Sequence, residues 1–177
     1  MPKHRSRLIG GAGAVVTVAA IAVSGVMTAS AAPTGAHPTG ARSAVSGTEQ
    51  FQMMTTSGTG STGSVIASGV FTAPAVDHEH SNNTSTFTFS NGTILIKHSS
   101  GTGTQHFDPK ACLLTINLHG TYKLVSGTGA YAGISGSGKY KLSILAIGAR
   151  SGGKCSKTKP PVAFHQVINA SGPVSLP

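Results

Sequence analysis

Asp77-His78-Glu79-His80 is the densest group of titratable side chains in the sequence. In an extended backbone His78 and His80 project to one face and Asp77 and Glu79 to the other. Two imidazoles at i and i+2 can chelate Zn²⁺ or Cu²⁺ on a strand, with the remaining ligand from elsewhere. Two carboxylates so placed can also act as an acid/base pair. Ser81-Asn82-Asn83-Thr84 follows at once, so an exposed polar loop at a hairpin tip is the plainer expectation, and no cofactor is required. Cys112 and Cys155 are the only cysteines. They form either a disulfide, as an even count in an exported domain favours, or a thiol site at Cys112 with His106 or His119 as base. A bridge would close a loop of 42 intervening residues and stabilise by about 4 kcal/mol in the chain-entropy model. No Gly-x-Ser-x-Gly elbow opens a helix. Gly127-x-Gly129-x-x-x-Gly133 leads into a strand, without the helix and Lys-Ser/Thr pair that a phosphate loop needs.

The elements that must position these residues alternate with period two. Glu49, Phe51 and Met53 share one face, with Gln50 and Gln52 on the other. Further strands are expected at Val65–Ala73, Thr86–Phe89, Thr93–Lys97, Cys112–Leu118, Tyr122–Val125, Lys139–Ile147 and Ala163–Asn169, the last followed by Pro173. Asn91-Gly92 is the strongest hairpin signal. Ser-Gly-Thr-Gly recurs at 57–60, 100–103 and 126–129, each time at an expected reversal. No segment keeps a helical period beyond two turns. The pattern predicts an all-β fold, a single antiparallel β-barrel of about eight strands over residues 47–177. Phe87 and Phe89 share a buried face, Tyr140 faces with Leu142, Ile144 and Ala146, and Gln166 faces with Phe164 and Ile168. If these faces line the barrel, Tyr140, Gln166, Phe87 and Phe89 are the expected ligand contacts, and Gln166 needs a polar partner there.

The N-terminus is an address. Lys3, Arg5 and Arg7 precede an uncharged run from Leu8 to Met27, and Ala29-Ser30-Ala31 is an A-x-A site. Residues 1–31 therefore read as a signal peptide cut between Ala31 and Ala32, so the protein is expected to be secreted with no membrane span after cleavage. Residues 32–46, with Pro-Thr-Gly-Ala at 33–36 and 38–41, read as a flexible linker. The full chain has 13 Lys+Arg against 4 Asp+Glu. Removing Lys3, Arg5 and Arg7 leaves ten against four, a net charge of +6. The lysines at 154, 157 and 159 are not interleaved with aromatics, which argues against a nucleic-acid platform. An anionic cell-envelope polymer is a better match for that charge.

The stretch Gly127-Thr128-Gly129-Ala130-Tyr131-Ala132-Gly133-Ile134-Ser135-Gly136-Ser137-Gly138-Lys139-Tyr140 resembles the Gly-Thr-Gly, aromatic, Gly-rich and strand segment of allene oxide cyclase and dirigent-like barrels. Phe51 to Leu176 is similar to small secreted actinobacterial proteins assigned to that barrel type. The resemblance implies an eight-stranded antiparallel barrel with an apolar lumen, often as a homo-oligomer. It carries no catalytic position onto this chain, whose mature part has only Glu49, Asp77, Glu79 and Asp108 as carboxylates. Non-enzymatic binding of a small apolar ligand or a cell-envelope component is the expected function. The alternatives are an isomerase or cyclase-type barrel enzyme and a structural surface protein with no ligand. An enzyme predicts a cavity on the order of several hundred Å³ with convergent polar groups, and it loses its support if none of Asp77, Asp108, Tyr140 and Gln166 reaches a cavity.

Overall fold

The computed structural model describes residues 44–58, 61–80 and 83–177. The expected leader, its expected cleavage between Ala31 and Ala32 and the expected linker up to residue 43 lie outside the described residues. Eleven strands follow in chain order: β1 Val45–Thr55, β2 Thr62–Ser68, β3 Ala73–His80, β4 Thr84–Phe89, β5 Gly92–His98, β6 Thr102–Asp108, β7 Leu113–Gly127, β8 Ser135–Ile147, β9 Arg150–Ser151, β10 Lys154–Cys155 and β11 Ala163–Leu176. Eight of them form a ring in the order β5-β4-β3-β2-β1-β11-β8-β7, and β5 pairs back onto β7 to close it. All pairings are antiparallel. The protein is thus a closed eight-stranded antiparallel β-barrel, in which closure pairs the two end strands of the ring, β5 and β7, with each other rather than leaving both edges open. β6 pairs with the first half of β7 and prolongs the wall beyond the ring. β9 and β10 form a separate small hairpin.

The inward face is set by alternation. Along β4, Ser85, Phe87 and Phe89 are buried while Thr88 between the two rings is exposed. Along β1, Glu49 and Phe51 are buried and Gln50 and Gln52 are exposed. One end of the barrel is stoppered by aromatics. Tyr131, on the short 3-10 turn Gly129–Tyr131, lies 4.6 Å from the Phe89 ring and 4.9 Å from the Phe71 ring, centroid to centroid. Above this stopper Phe51 packs on Phe87 at 5.5 Å and edge-on to Tyr122 at 6.0 Å. Edge-to-face pairs of this kind add about 0.5–1.5 kcal/mol beyond their area burial.

Several sequence expectations are corrected in detail. β1 begins at Val45, so the last two residues of the expected linker pair with Leu176 and Ser175. The run Val65–Ala73 is two strands, because residues 69–72 form the reversal between β2 and β3. Asp77 to His80 are strand residues of β3 rather than a loop, with cross-strand partners from Phe87 to Thr84 on β4. The β4–β5 hairpin is present, but Phe89 pairs with Gly92, which leaves Ser90 and Asn91 as its loop. Gly92 itself has φ +154, and a Cβ there would sit 2.1 Å from the Thr128 carbonyl oxygen. It is needed for close approach to the 3-10 segment. The expected strands at 112–118 and 122–125 are one continuous β7, and Cys112 lies just before it with φ +55. β11 runs through Pro173 to Leu176; its ladder to β8 lapses between Ser171↔Lys139 and Val174↔Gly136, where the missing N–H is tolerated.

Cys112 and Cys155 form a disulfide with a Cα–Cα distance of 5.5 Å. It ties the β9–β10 hairpin to the start of β7, where the Gly148 N–H donates to the Cys112 carbonyl at 2.8 Å. The catalytic-thiol alternative for Cys112 is thereby removed.

Candidate functional site

The stopper fills one half of the barrel and leaves a cavity of about 150 Å³ in the other. Its walls are Phe51 and Met53 from β1, Phe87 from β4, Ile96 from β5, Leu142 from β8 and Ile168 from β11. A polar set converges on the same space: Asp77 and Glu79 from β3, Ser85 from β4, His98 from β5, Tyr122 from β7, Tyr140 from β8 and Gln166 from β11. The lumen opens beside the exposed Glu79 into a second hollow of about 200 Å³, which shares Asp77, Glu79 and Gln166 and adds Thr55, Thr62 and Phe164. A void of about 150 Å³ in an apolar core is large enough to take a benzene-sized molecule.

β3 explains how carboxylates came to face inward. Its inward positions are Ala73, Ala75, Asp77 and Glu79, and Asp77 pairs with Phe87 on one side and Gly63 on the other. Burial pushes the Asp77 carboxyl up to about 6, and nearby Glu79 adds to the rise, while a Ser85 hydrogen bond and the charges of His78 and His98 oppose it. Asp77 Oδ1 is buried without a hydrogen-bond partner. Tyr122, only 5% exposed, also keeps a buried hydroxyl without a partner. Burial, reinforced by Glu49, pushes that hydroxyl up to about 12, so it stays neutral. Tyr140 is different: its hydroxyl donates to the Ser99 carbonyl at 2.9 Å, and its ring meets His98 edge-on at 6.3 Å. It is a fixed wall. Gly120 makes room for it, because a Cβ there would lie 2.6 Å from the Tyr140 ring.

Glu49 is fully buried at the stoppered end. The Phe71 N–H donates to its Oε2 at 3.1 Å, whereas Oε1 has no hydrogen-bond partner. Burial raises this carboxyl from its ordinary value, against the opposing pull of the Phe71, Val70, Ser68 and Gln50 amides.

The sequence-expected residues divide. Tyr140, Gln166 and Phe87 line the lumen, but Phe89 is part of the stopper and does not. Of the four groups whose position bears on an enzyme, Asp77, Tyr140 and Gln166 reach the cavity. Asp108 instead accepts the Lys110 N–H at 2.8 Å and the Ala111 N–H at 3.3 Å in a surface turn. His78 and His80 are exposed on the outer face of β3, and His80 Nε2 is 2.9 Å from Thr86 Oγ1. Among the described residues no group of three His, Cys, Asp or Glu side chains is assembled to hold a metal ion. Asp77 and Glu79, on the opposite face from the histidines, are the members of that tetrad at the site. Ser85 and His98 were not expected at the site from sequence; Glu49 shares the face of Phe51 as expected, and the alternation around Phe87 was the signal that could have placed Ser85 inside.

Fold and site together define a disulfide-tied antiparallel barrel, stoppered at one end and carrying a mixed apolar and acidic lumen at the other. No helix among the described residues is long and apolar enough to cross a membrane. No protein-family model, curated protein or solved structure matches the chain.

Proposed function

We propose that this chain is exported by its leader at residues 1–31 and that the mature barrel binds a small, largely apolar ligand in its lumen. One observation carries the binding reading: an apolar cavity large enough for a single ring holds buried polar atoms, Asp77 Oδ1 and Tyr122 Oη, that find no partner within the protein. Buried polar groups are normally paired, so an unpaired set facing a cavity reads as a site awaiting a ligand or water. The disulfide supports an oxidising compartment, and the Ala29-Ser30-Ala31 site supports cleavage. The resemblance of residues 127–140 to allene oxide cyclase and dirigent-like barrels agrees with a lumenal ligand and an oligomer.

An isomerase or cyclase using the same lumen is favoured by Asp77 alone. A carboxyl that titrates near 6 in a cavity can take up and return a proton at neutral pH. That reading demands proton exchange at a bound substrate, whereas binding alone does not.

Native mass spectrometry of the protein recovered from its own host's medium tests the proposal, together with calorimetric titration of the purified protein with benzyl alcohol. The expected result is a bridged chain beginning at Ala32 that takes up the ring-sized probe. A chain in the medium still holding Met1 to Ala31 contradicts cleavage, a chain retained by the cells contradicts export, and a lumen that retains no small molecule and takes up no ring-sized probe contradicts binding.

A further inference from the structure

The charges of this barrel are sorted by face. Every described lysine and arginine is exposed, and no described one lines the lumen. Three of the four described carboxylates, Glu49, Asp77 and Glu79, stand at inward positions of β1 and β3. A protein with an excess of basic residues therefore keeps its negative charge inside.

The buried atoms without partners are all oxygens. Among the described residues they are Glu49 Oε1, Asp77 Oδ1 and Tyr122 Oη. Each can accept a hydrogen bond, and an ionised carboxylate can only accept. Of these, Asp77 Oδ1 and the Tyr122 hydroxyl belong to lumen-lining residues; the carboxylate oxygen needs a donor that the protein does not supply, while the neutral hydroxyl can accept as well as donate. The rings of Phe51, Phe87, Tyr122 and Tyr140 line the same cavity, and the face of an aromatic ring attracts a cation. Burying Asp77 without a cation is unfavourable. His98 is the basic side chain lining the cavity with it.

Resting on the lumen reading above, we infer that the ligand is a small organic cation: a protonated amine whose single-ring or similarly sized apolar body fills the cavity while its N–H groups meet Asp77 and Glu79 at the mouth. The ring-sized cavity and the polar hollow outside it share those two carboxylates and Gln166. An apolar body seated inside therefore places its charged end between them. Hydrogen bonds to charged groups are among the stronger ones, and in a partly dry site they separate a cation from its neutral isostere.

The test is calorimetric titration of the whole protein at pH 7.5 with three probes of one shape: benzylamine, protonated at that pH, neutral benzyl alcohol and anionic benzoate. Benzylamine is expected to bind tighter than benzyl alcohol by about tenfold or more, with benzoate weakest. Asp77→Asn is expected to abolish that preference while benzyl alcohol still binds, and Glu79→Gln, at an exposed position, to reduce it without disturbing the fold. Benzyl alcohol binding as tightly as benzylamine, or a preference that survives both substitutions, overturns the cationic class and leaves the lumen reading standing. Failure of all three probes overturns the lumen reading, and the inference with it.

Discussion

Replacing Asp77 by Asn should make this protein more stable at neutral pH. The side chain is partly withdrawn from water, Oδ1 has no partner, and burial moves its carboxyl from 3.8 to about 6. A folded-state value above the unfolded one means that the folded chain holds the proton more tightly. The carboxyl therefore costs nothing well below 3.8, where both states are protonated. The cost grows as pH rises through the interval and is complete above about pH 6. At pH 7.5 it amounts to at most about 3 kcal/mol. Asn keeps the shape and an acceptor for Ser85 but carries no charge, so Asp77→Asn should recover up to that amount at pH 7.5 and only a small fraction of it at pH 4. Urea unfolding of wild type and variant at the two pH values measures the difference directly. Glu49 works in the same direction, so the wild type itself should gain stability as pH falls from 7.5 towards 5. A variant no more stable than wild type at pH 7.5, or one whose gain is the same at both pH values, refutes the reasoning.

Gly120→Ala puts a methyl 2.6 Å from the Tyr140 ring and must push it off the Ser99 carbonyl. Thermal unfolding should show a loss of about 1–3 kcal/mol, the usual result of overpacking, and probe binding in the lumen should weaken with it. Converting Cys112 and Cys155 together to Ala reopens the closed loop and should lower the urea midpoint, by at most about 4 kcal/mol in free energy.

Strands were the most legible part of this chain because side-chain alternation is a local property. Phe87 and Phe89 or Tyr140 and Leu142 declare their face without knowledge of any neighbour. The cysteine pair was legible from its count alone. Elsewhere tertiary context overrode local signals. Pro173 reads as a terminator but lies inside β11, since the ring closes around it and the ladder simply lapses there. Cys112 looks like a strand residue but takes a left-handed turn conformation to meet Cys155. The tetrad at 77–80 drew attention to its histidines, because metal ligation has a spacing rule and a lumen does not. That Asp77 and Glu79 are the inward members depends on register with Phe87 and Ser85 on β4, which no local pattern contains. Glu49 was legible as sharing the face of Phe51, but not its full burial: a carboxylate inside runs against the composition of protein interiors, and only the amides near Phe71 explain how it is held.

Met53 and Met54 provide the most direct measurement of the central claim, that the lumen is a ligand site. They are neighbours on β1, but Met53 lines the lumen and Met54 is 50% exposed on the outer wall. Titration of the ¹³C-methyl-methionine protein with benzylamine, followed by NMR, should move the Met53 methyl resonance through the ring current of the bound probe and leave Met54 in place. Movement of Met54 with Met53 unmoved, or of neither at saturating probe, would contradict a ligand seated in the barrel.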